Sequence, residues 1–182
     1  MKEILIYGRG GQGNVAAAEI LATAAFEDGQ FVQAFPAFGA ERMGAPVRAF
    51  VRIHDQKIRT RSQVTNPDIL IIQDETLLGN AKVMGSVKKE GVIIANSAKK
   101  AAELGLRDSA TLWTVPARQI ALEAIGTPIV NVVMLGAFCA VTGLVSLEAV
   151  KRCAMARFAG AVGEKNAQAA QQAYDWIKKE RE

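Results

Sequence analysis

The run Gly8-Arg9-Gly10-Gly11-Gln12-Gly13 constrains the fold more than any other stretch of the chain. A short apolar run, Ile4-Leu5-Ile6-Tyr7, precedes it, and apolar residues at Val15, Ala18, Leu21, Ala22 and Ala25 follow it at helical spacing. Strand, glycine loop and helix in that order open an α/β domain. Glycines permit a tight turn and a close backbone approach, and N–H groups at the helix start can hold an anion. A dinucleotide-binding unit also places an acid at the end of its second strand, to take the ribose hydroxyls. Phe31 to Phe35 reads as that strand, stopped by Pro36, so the position falls among Gln33, Ala34 and Phe35. Glu27 and Asp28 come too early and Glu41 too late. Without the acid, three readings of the loop stay open: a nicotinamide site, a contact for phosphate or coenzyme A, or a tight turn that only needs small residues.

The rest of the chain continues the α/β pattern and then leaves it. Gly29 closes the first helix. Val47 to Ile53 alternates, with Val47, Ala49, Val51 and Ile53 on one side and Arg48, Phe50 and Arg52 on the other, as a strand with unlike faces does. His54-Asp55 predicts a turn into a short partner strand, Lys57 to Arg61. Asp68 to Gln73 and Gly91 to Asn96 are near-continuous apolar runs, suited to strands buried on both faces, and Leu77 to Lys89 between them reads as a weak helix. Thr111 to Val115 is a further strand, with Pro116 in the first turn of a helix running on through Arg118 to Ala124. Val130 to Val141, Ser146 to Phe158 and Gly163 to Lys179 read as three helices, Ser146 capping the second. Ala170, Ala173, Tyr174 and Ile177 form the buried stripe of the last. The expected fold is a three-layer α/β/α domain spanning residues 1–182, with a mixed sheet and a helical C-terminal half.

Phe35-Pro36-Ala37-Phe38-Gly39-Ala40-Glu41-Arg42-Met43-Gly44-Ala45-Pro46 is the second unusual segment. Its aromatic rings are costly to leave in water, so it packs beneath the glycine loop or under a partner. From Arg42 to Arg61 the chain carries Arg42, Arg48, Arg52, Lys57, Arg59 and Arg61 against Glu41 and Asp55. Arginine forks suit phosphate or carboxylate, which makes this stretch a candidate anion-binding or subunit-docking face; a strand edge protected by charge is the other reading.

Charge and cysteine content exclude several functions. With 22 Lys and Arg against 18 Asp and Glu, the net charge of +4 does not call for nucleic acid. The most apolar stretch, Val130 to Val145, is shorter than the roughly 20 residues that span a bilayer. Met1-Lys2-Glu3 runs into a strand without the regions of a signal peptide, and the expected location is the cytoplasm. The 2 cysteines, Cys139 and Cys153, make no disulfide framework and cannot hold an iron–sulfur cluster. They read as core fillers, as do Met134 and Met155. His54 is the lone histidine, at a turn, and no metal-ligand spacing exists. No catalytic residue is assigned.

Tyr7 to Gly13 followed by Ala17-Ala18-Glu19-Ile20-Leu21-Ala22, and Phe35 to Val47, together resemble the gamma subunit of pyruvate and related 2-oxoacid:ferredoxin oxidoreductases. Asn131 to Phe138, Thr142 to Glu148 and Lys165-Asn166 fit the same family, so the resemblance covers essentially the whole chain in order. The beta subunit of indolepyruvate oxidoreductase is similar to the same domain, and a stand-alone nucleotide-binding oxidoreductase or a purely structural module are the other readings. The resemblance implies an assembly that decarboxylates a 2-oxoacid on thiamine diphosphate, sends electrons through 4Fe–4S clusters to ferredoxin, and forms an acyl-coenzyme A. Those cofactors would lie in alpha, beta and delta partner subunits, leaving this chain without a redox centre. Its own part would be to help form the approach for coenzyme A, with Gly8, Arg9, Gly10, Gly11, Gln12, Gly13 and Arg42 as the contact residues.

Overall fold

The computed structural model describes residues 1–37, 43–104 and 110–181. A mixed sheet is built from β1 (Lys2–Arg9), β2 (Phe31–Pro36), β3 (Pro46–His54), β4 (Ile69–Ile72), β5 (Val92–Asn96) and β6 (Thr111–Val115). Their order is β2-β3-β1-β4-β5-β6. β1, β4, β5 and β6 run parallel, while β3 lies antiparallel between β1 and β2. The central runs are apolar at every position because both faces are covered: Ile69–Ile72 is buried throughout.

The helices are α1 (Asn14–Glu27), α2 (Ala81–Met84), α3 (Ala117–Ala124), α4 (Asn131–Thr142), α5 (Leu147–Arg157) and α6 (Ala161–Glu180). On one face Ile4, Ile6, Val51, Ile71 and Ile94 meet α1 and α4, and α5 and α6 pack outside these. Asn131 to Val141 is buried all round, as a helix enclosed by other helices must be. Gly136 sits where α6 crosses it; a Cβ there would fall 2.0 Å from the Ala170 carbonyl oxygen. The opposite face, with Leu5, Tyr7, Phe50, Leu70 and Ile93, carries a thinner cover supplied by Val64, Leu77, Val83 and Met84.

Four local expectations are corrected. Lys57 to Arg61 forms no strand. β3 already has a neighbour on each side, and the segment is instead drawn across the sheet, where Arg52 Nη2 donates to the Ser62 carbonyl at 2.6 Å. Since β3 is internal, its charges do not guard a sheet edge, and Arg52 is 1% exposed. Leu77 to Lys89 breaks into a 3-10 turn at Glu75–Leu77 and the single turn α2, because Asn80 restarts the chain by capping Val83 N–H and Gly85 ends it. Met155 lies on the outer side of α5, 43% exposed, while Met134 is in the core.

Pro36 ends β2 and Ser146 caps α5, accepting from Ala149 N–H, both as expected. Gly29 follows α1 with φ +83° and donates to the Phe26 carbonyl.

Candidate binding site at the strand ends

The carboxyl ends of β1, β4, β5 and β6 converge on one side of the sheet, the place where open parallel sheets bind ligands. A chain of hydrogen bonds ties these ends together. Gln73 N–H donates to the Tyr7 carbonyl, Asn96 Nδ2 to the Gln73 carbonyl, and Arg118 N–H to Asn96 Oδ1.

The glycine loop forms the rim. Gly11 and Gly13 hold φ of +93° and +77°, a conformation other residues rarely adopt. Gly13 also admits Asn131 of α4, whose Nδ2 would lie 2.6 Å from a Cβ there. The end of the second sequence motif pairs with this loop: Gly10 N–H donates to the Ala45 carbonyl at 2.8 Å, and Gly44 N–H to the Gly10 carbonyl at 3.3 Å. The two motifs therefore meet in space. Phe35 packs against Phe50, ring centroids 5.2 Å apart. Residues 38–42, including Arg42 and Glu41, lie outside the described residues.

Asp74, just beyond β4, is the centre of the rim. Its carboxylate accepts from Gln12 Nε2 at 2.8 Å and from Thr76 N–H at 3.0 Å, and Arg9 Nε lies 3.4 Å away. Burial acts to raise the Asp74 pKa, but hydrogen bonds from Thr76 and Gln12 and the charge of Arg9 outweigh it and hold the carboxyl below its ordinary value. Arg9 donates further to Thr76 Oγ1 and to the Gly44 carbonyl. Its guanidinium thus ties Thr76 and Gly44 together, and about a third of the side chain remains open, 35%. Gln12 Oε1 accepts from Arg9 N–H at 2.7 Å. Thus Gln12 bridges the loop to β4.

Beside this rim opens a cavity of about 570 Å³, lined in part by Gln12, Gln73, Asp74, Asn96, Ser97 and Arg118. Gln73 is 1% exposed, yet among the described residues neither its amide oxygen nor its amide nitrogen has a hydrogen-bond partner. A buried amide left unpaired costs on the order of 1–3 kcal/mol per group, so a donor–acceptor pair offered by a ligand would recover it. The charged lining is mainly acidic, Asp74, Glu75 and Glu123 against Arg118. That excess favours a neutral polar group over a bare phosphate.

Sequence reasoning placed the glycine loop correctly at a strand-to-helix turn but missed Gln73 and Asp74. Polar residues at the end of a buried apolar strand were the available signal. The pattern of a dinucleotide-binding unit puts the ribose-binding acid after the second strand; β2, however, lies antiparallel at the sheet edge, and the parallel neighbour of β1 is β4. Asp74 follows that strand, though its oxygens are committed to Gln12, Thr76 and Arg9. Cys139 and Cys153 are both buried, and burial pushes the Cys139 thiol up to about 12. His54 ends β3 beside Asp55, away from the cavity. Among the described residues no group of His, Cys, Asp and Glu is arranged to hold a metal, and no helix is long and apolar enough to cross a membrane.

The sequence pattern of a family described as "Pyruvate ferredoxin/flavodoxin oxidoreductase" matches residues 3–176. The chain is 52% identical over 175 residues to pyruvate synthase subunit PorC of Methanocaldococcus jannaschii, with 96% of each chain covered. It is 47% identical to the pyruvate/ketoisovalerate oxidoreductases common subunit gamma of Thermococcus kodakarensis, again over 96% of each. The crystal structure of pyruvate oxidoreductase subunit PORC from Thermotoga maritima superposes with a TM-score of 0.83 at 39% identity, covering 96% of this chain and 97% of that one.

Proposed function

From the premise that the chain belongs to the pyruvate ferredoxin/flavodoxin oxidoreductase family, we infer that it is the gamma subunit of a multisubunit 2-oxoacid:ferredoxin oxidoreductase. The enzyme oxidatively decarboxylates a 2-oxoacid to an acyl-coenzyme A while reducing ferredoxin. Thiamine diphosphate and iron–sulfur clusters belong to its alpha, beta and delta companions, in keeping with the 2 cysteines here, both buried. The chain works as a soluble component of the cytoplasm and holds no reacting group itself.

Its contribution is to shape the approach of coenzyme A. The observation that carries this reading is the unpaired Gln73 amide in the wall of the cavity at the strand ends. Coenzyme A is an anionic nucleotide joined to a neutral arm containing two amides. The cavity, with its mainly acidic lining, accepts a neutral amide segment rather than a phosphate, and Gln73 supplies one donor and one acceptor to it. The phosphates would meet the glycine loop along Gly8, Gly10, Gly11 and Gly13, where Arg9 supplies a cation and the Gly10 N–H is already given to the Ala45 carbonyl; Arg42 is proposed as a further contact. Gln12 couples rim to cavity through its bond to Asp74.

Steady-state kinetics of the assembled enzyme test this. Gln73→Leu and Arg42→Ala should each raise the apparent KM for coenzyme A by roughly tenfold, the cost of one lost hydrogen-bonded contact, with the 2-oxoacid KM unchanged. An unchanged coenzyme A constant in an intact complex would reject the binding role and leave the loop as a structural turn. Loss of the subunit from the complex on Arg42→Ala would assign that arginine to docking instead.

A further inference from the structure

The segment between β3 and β4 is the feature that the coenzyme A reading does not use. Between its flanking acids, Asp55 and Asp68, it contains Lys57, Arg59 and Arg61 and no acidic residue. All three cations are exposed, and among the described residues none of them makes an ion pair or a side-chain hydrogen bond. On the last helix, by contrast, exposed cations stand beside acids, as in Glu164-Lys165 and Lys178-Lys179-Glu180. This strap therefore carries a concentrated share of the chain's net +4.

Its ends are fastened. At the start it leaves β3 at His54; at the finish Arg52 holds the Ser62 carbonyl, Val64 is buried under the sheet, and Asn66 Nδ2 donates to the Ser86 carbonyl. Arg52 is in turn fixed by Glu3 Oε1 at 2.9 Å and Gln33 Oε1 at 3.0 Å. A cationic strip tethered at both ends loses less freedom on docking than a loose loop would.

We propose that this strap docks on the acidic face of a companion subunit in the assembled oxidoreductase. The inference rests on the subunit reading above and extends it by naming the surface. Basic residues at 57, 59 and 61 recur at every second position, with intervals of up to about 7 Å in an extended chain, so they span roughly twice that. A single phosphate or diphosphate cannot reach all three, whereas a row of carboxylates on a protein surface can. Ile58, the apolar side chain between the cations, is half-buried, and among the described residues no large exposed apolar residue lies between Pro46 and Pro67. Charge complementarity here sets orientation and register, which is the main use of such pairs in interfaces.

The test is retention of this chain by its companions when the complex is captured through a tag on the thiamine-binding subunit and washed with rising salt. The variant K57E/R59E/R61E should dissociate at lower salt, its apparent affinity for the complex weakened roughly tenfold or more. K57R/R59K/R61K, which preserves charge, should behave as wild type and shows that the strap tolerates substitution. Equal retention of the charge-reversed and wild-type chains overturns the proposal. Equal retention combined with slower reduction of ferredoxin, at an unchanged rate with a viologen dye, overturns it in favour of a transient acidic partner. Activity of the wild-type complex with a 2-oxoacid and the dye reports separately on the subunit reading.

Discussion

Gln12 Nε2 donates to Asp74 Oδ2 at 2.8 Å, joining the glycine loop to the end of the neighbouring parallel strand across 62 positions of sequence. The same carboxylate caps the 3-10 turn through Thr76 and faces Arg9. One carboxylate thus joins the glycine loop, the turn after β4 and Arg9. Asp74→Ala should destabilise the protein by about 2–3 kcal/mol, the cost of removing an ionised acceptor and stranding its donors. Urea titration reads the loss directly.

The same carboxylate gives the protein a predictable weakness in acid. Its pKa is lowered from 3.8 on folding, so its contribution to stability is complete above that value and disappears as pH falls through the lower folded pKa. Asp68, whose pKa is also lowered, by Glu3 N–H and Lys88 against the opposing effect of burial, behaves alike. Asp74→Asn should flatten the stability–pH curve below about pH 4, leaving the Asp68 share. A curve of unchanged slope would show that Asp74 is not linked to folding in this way.

Gly136 of α4 packs directly against the Ala170 backbone of α6. A methyl at 136 would enter the space of the Ala170 carbonyl, and neither helix can retreat without opening the core. Gly136→Ala should lower stability by about 2–3 kcal/mol, and Gly136→Val by more, seen as a drop in Tm. By contrast a Cβ at Gly79 meets nothing within 4 Å, so Gly79→Ala should leave Tm nearly unchanged.

Arg52 is nearly inaccessible and supports three segments at once: β1 through Glu3, β2 through Gln33 and the strap through Ser62. Its guanidinium also lies over the Phe35 ring, 5.4 Å from the centroid. Arg52→Ala should cost about 3–5 kcal/mol, as expected for breaking a buried ion pair from one side. Limited trypsin digestion should then cut faster at Lys57, Arg59 and Arg61, since the strap has lost its anchor.

Neither thiol should react while the protein is folded. Burial, with the nearby charge of Asp28, pushes Cys139 up to about 12; burial and the Glu27 carboxylate push Cys153 up to about 11. At pH 8 both are protonated and shielded, so a disulfide reagent should titrate them only after denaturant is added. Rapid labelling of the native protein would contradict the packing around α4 and α5.

Local periodicity was enough to reveal most elements of this protein. Apolar runs such as Ile69 to Ile72 announce strands covered on both faces, alternation from Val47 to Ile53 announces one with unlike faces, and Gly8 to Gly13 announces a strand-to-helix turn, because each depends on spacing within one segment. The long motifs likewise identified the family. What lay beyond the sequence was decided by pairing between distant segments. Nothing near β3 says that it will insert antiparallel between β1 and β2, removing the partner strand expected at Lys57 to Arg61 and burying Arg52. Nor does any local pattern bring Asp74 to Gln12 or leave Gln73 unpaired in a cavity wall. Side-chain period fixes which face a residue occupies, but strand order and the meeting of loop ends are long-range choices, made only when the whole sheet and its helical cover pack together.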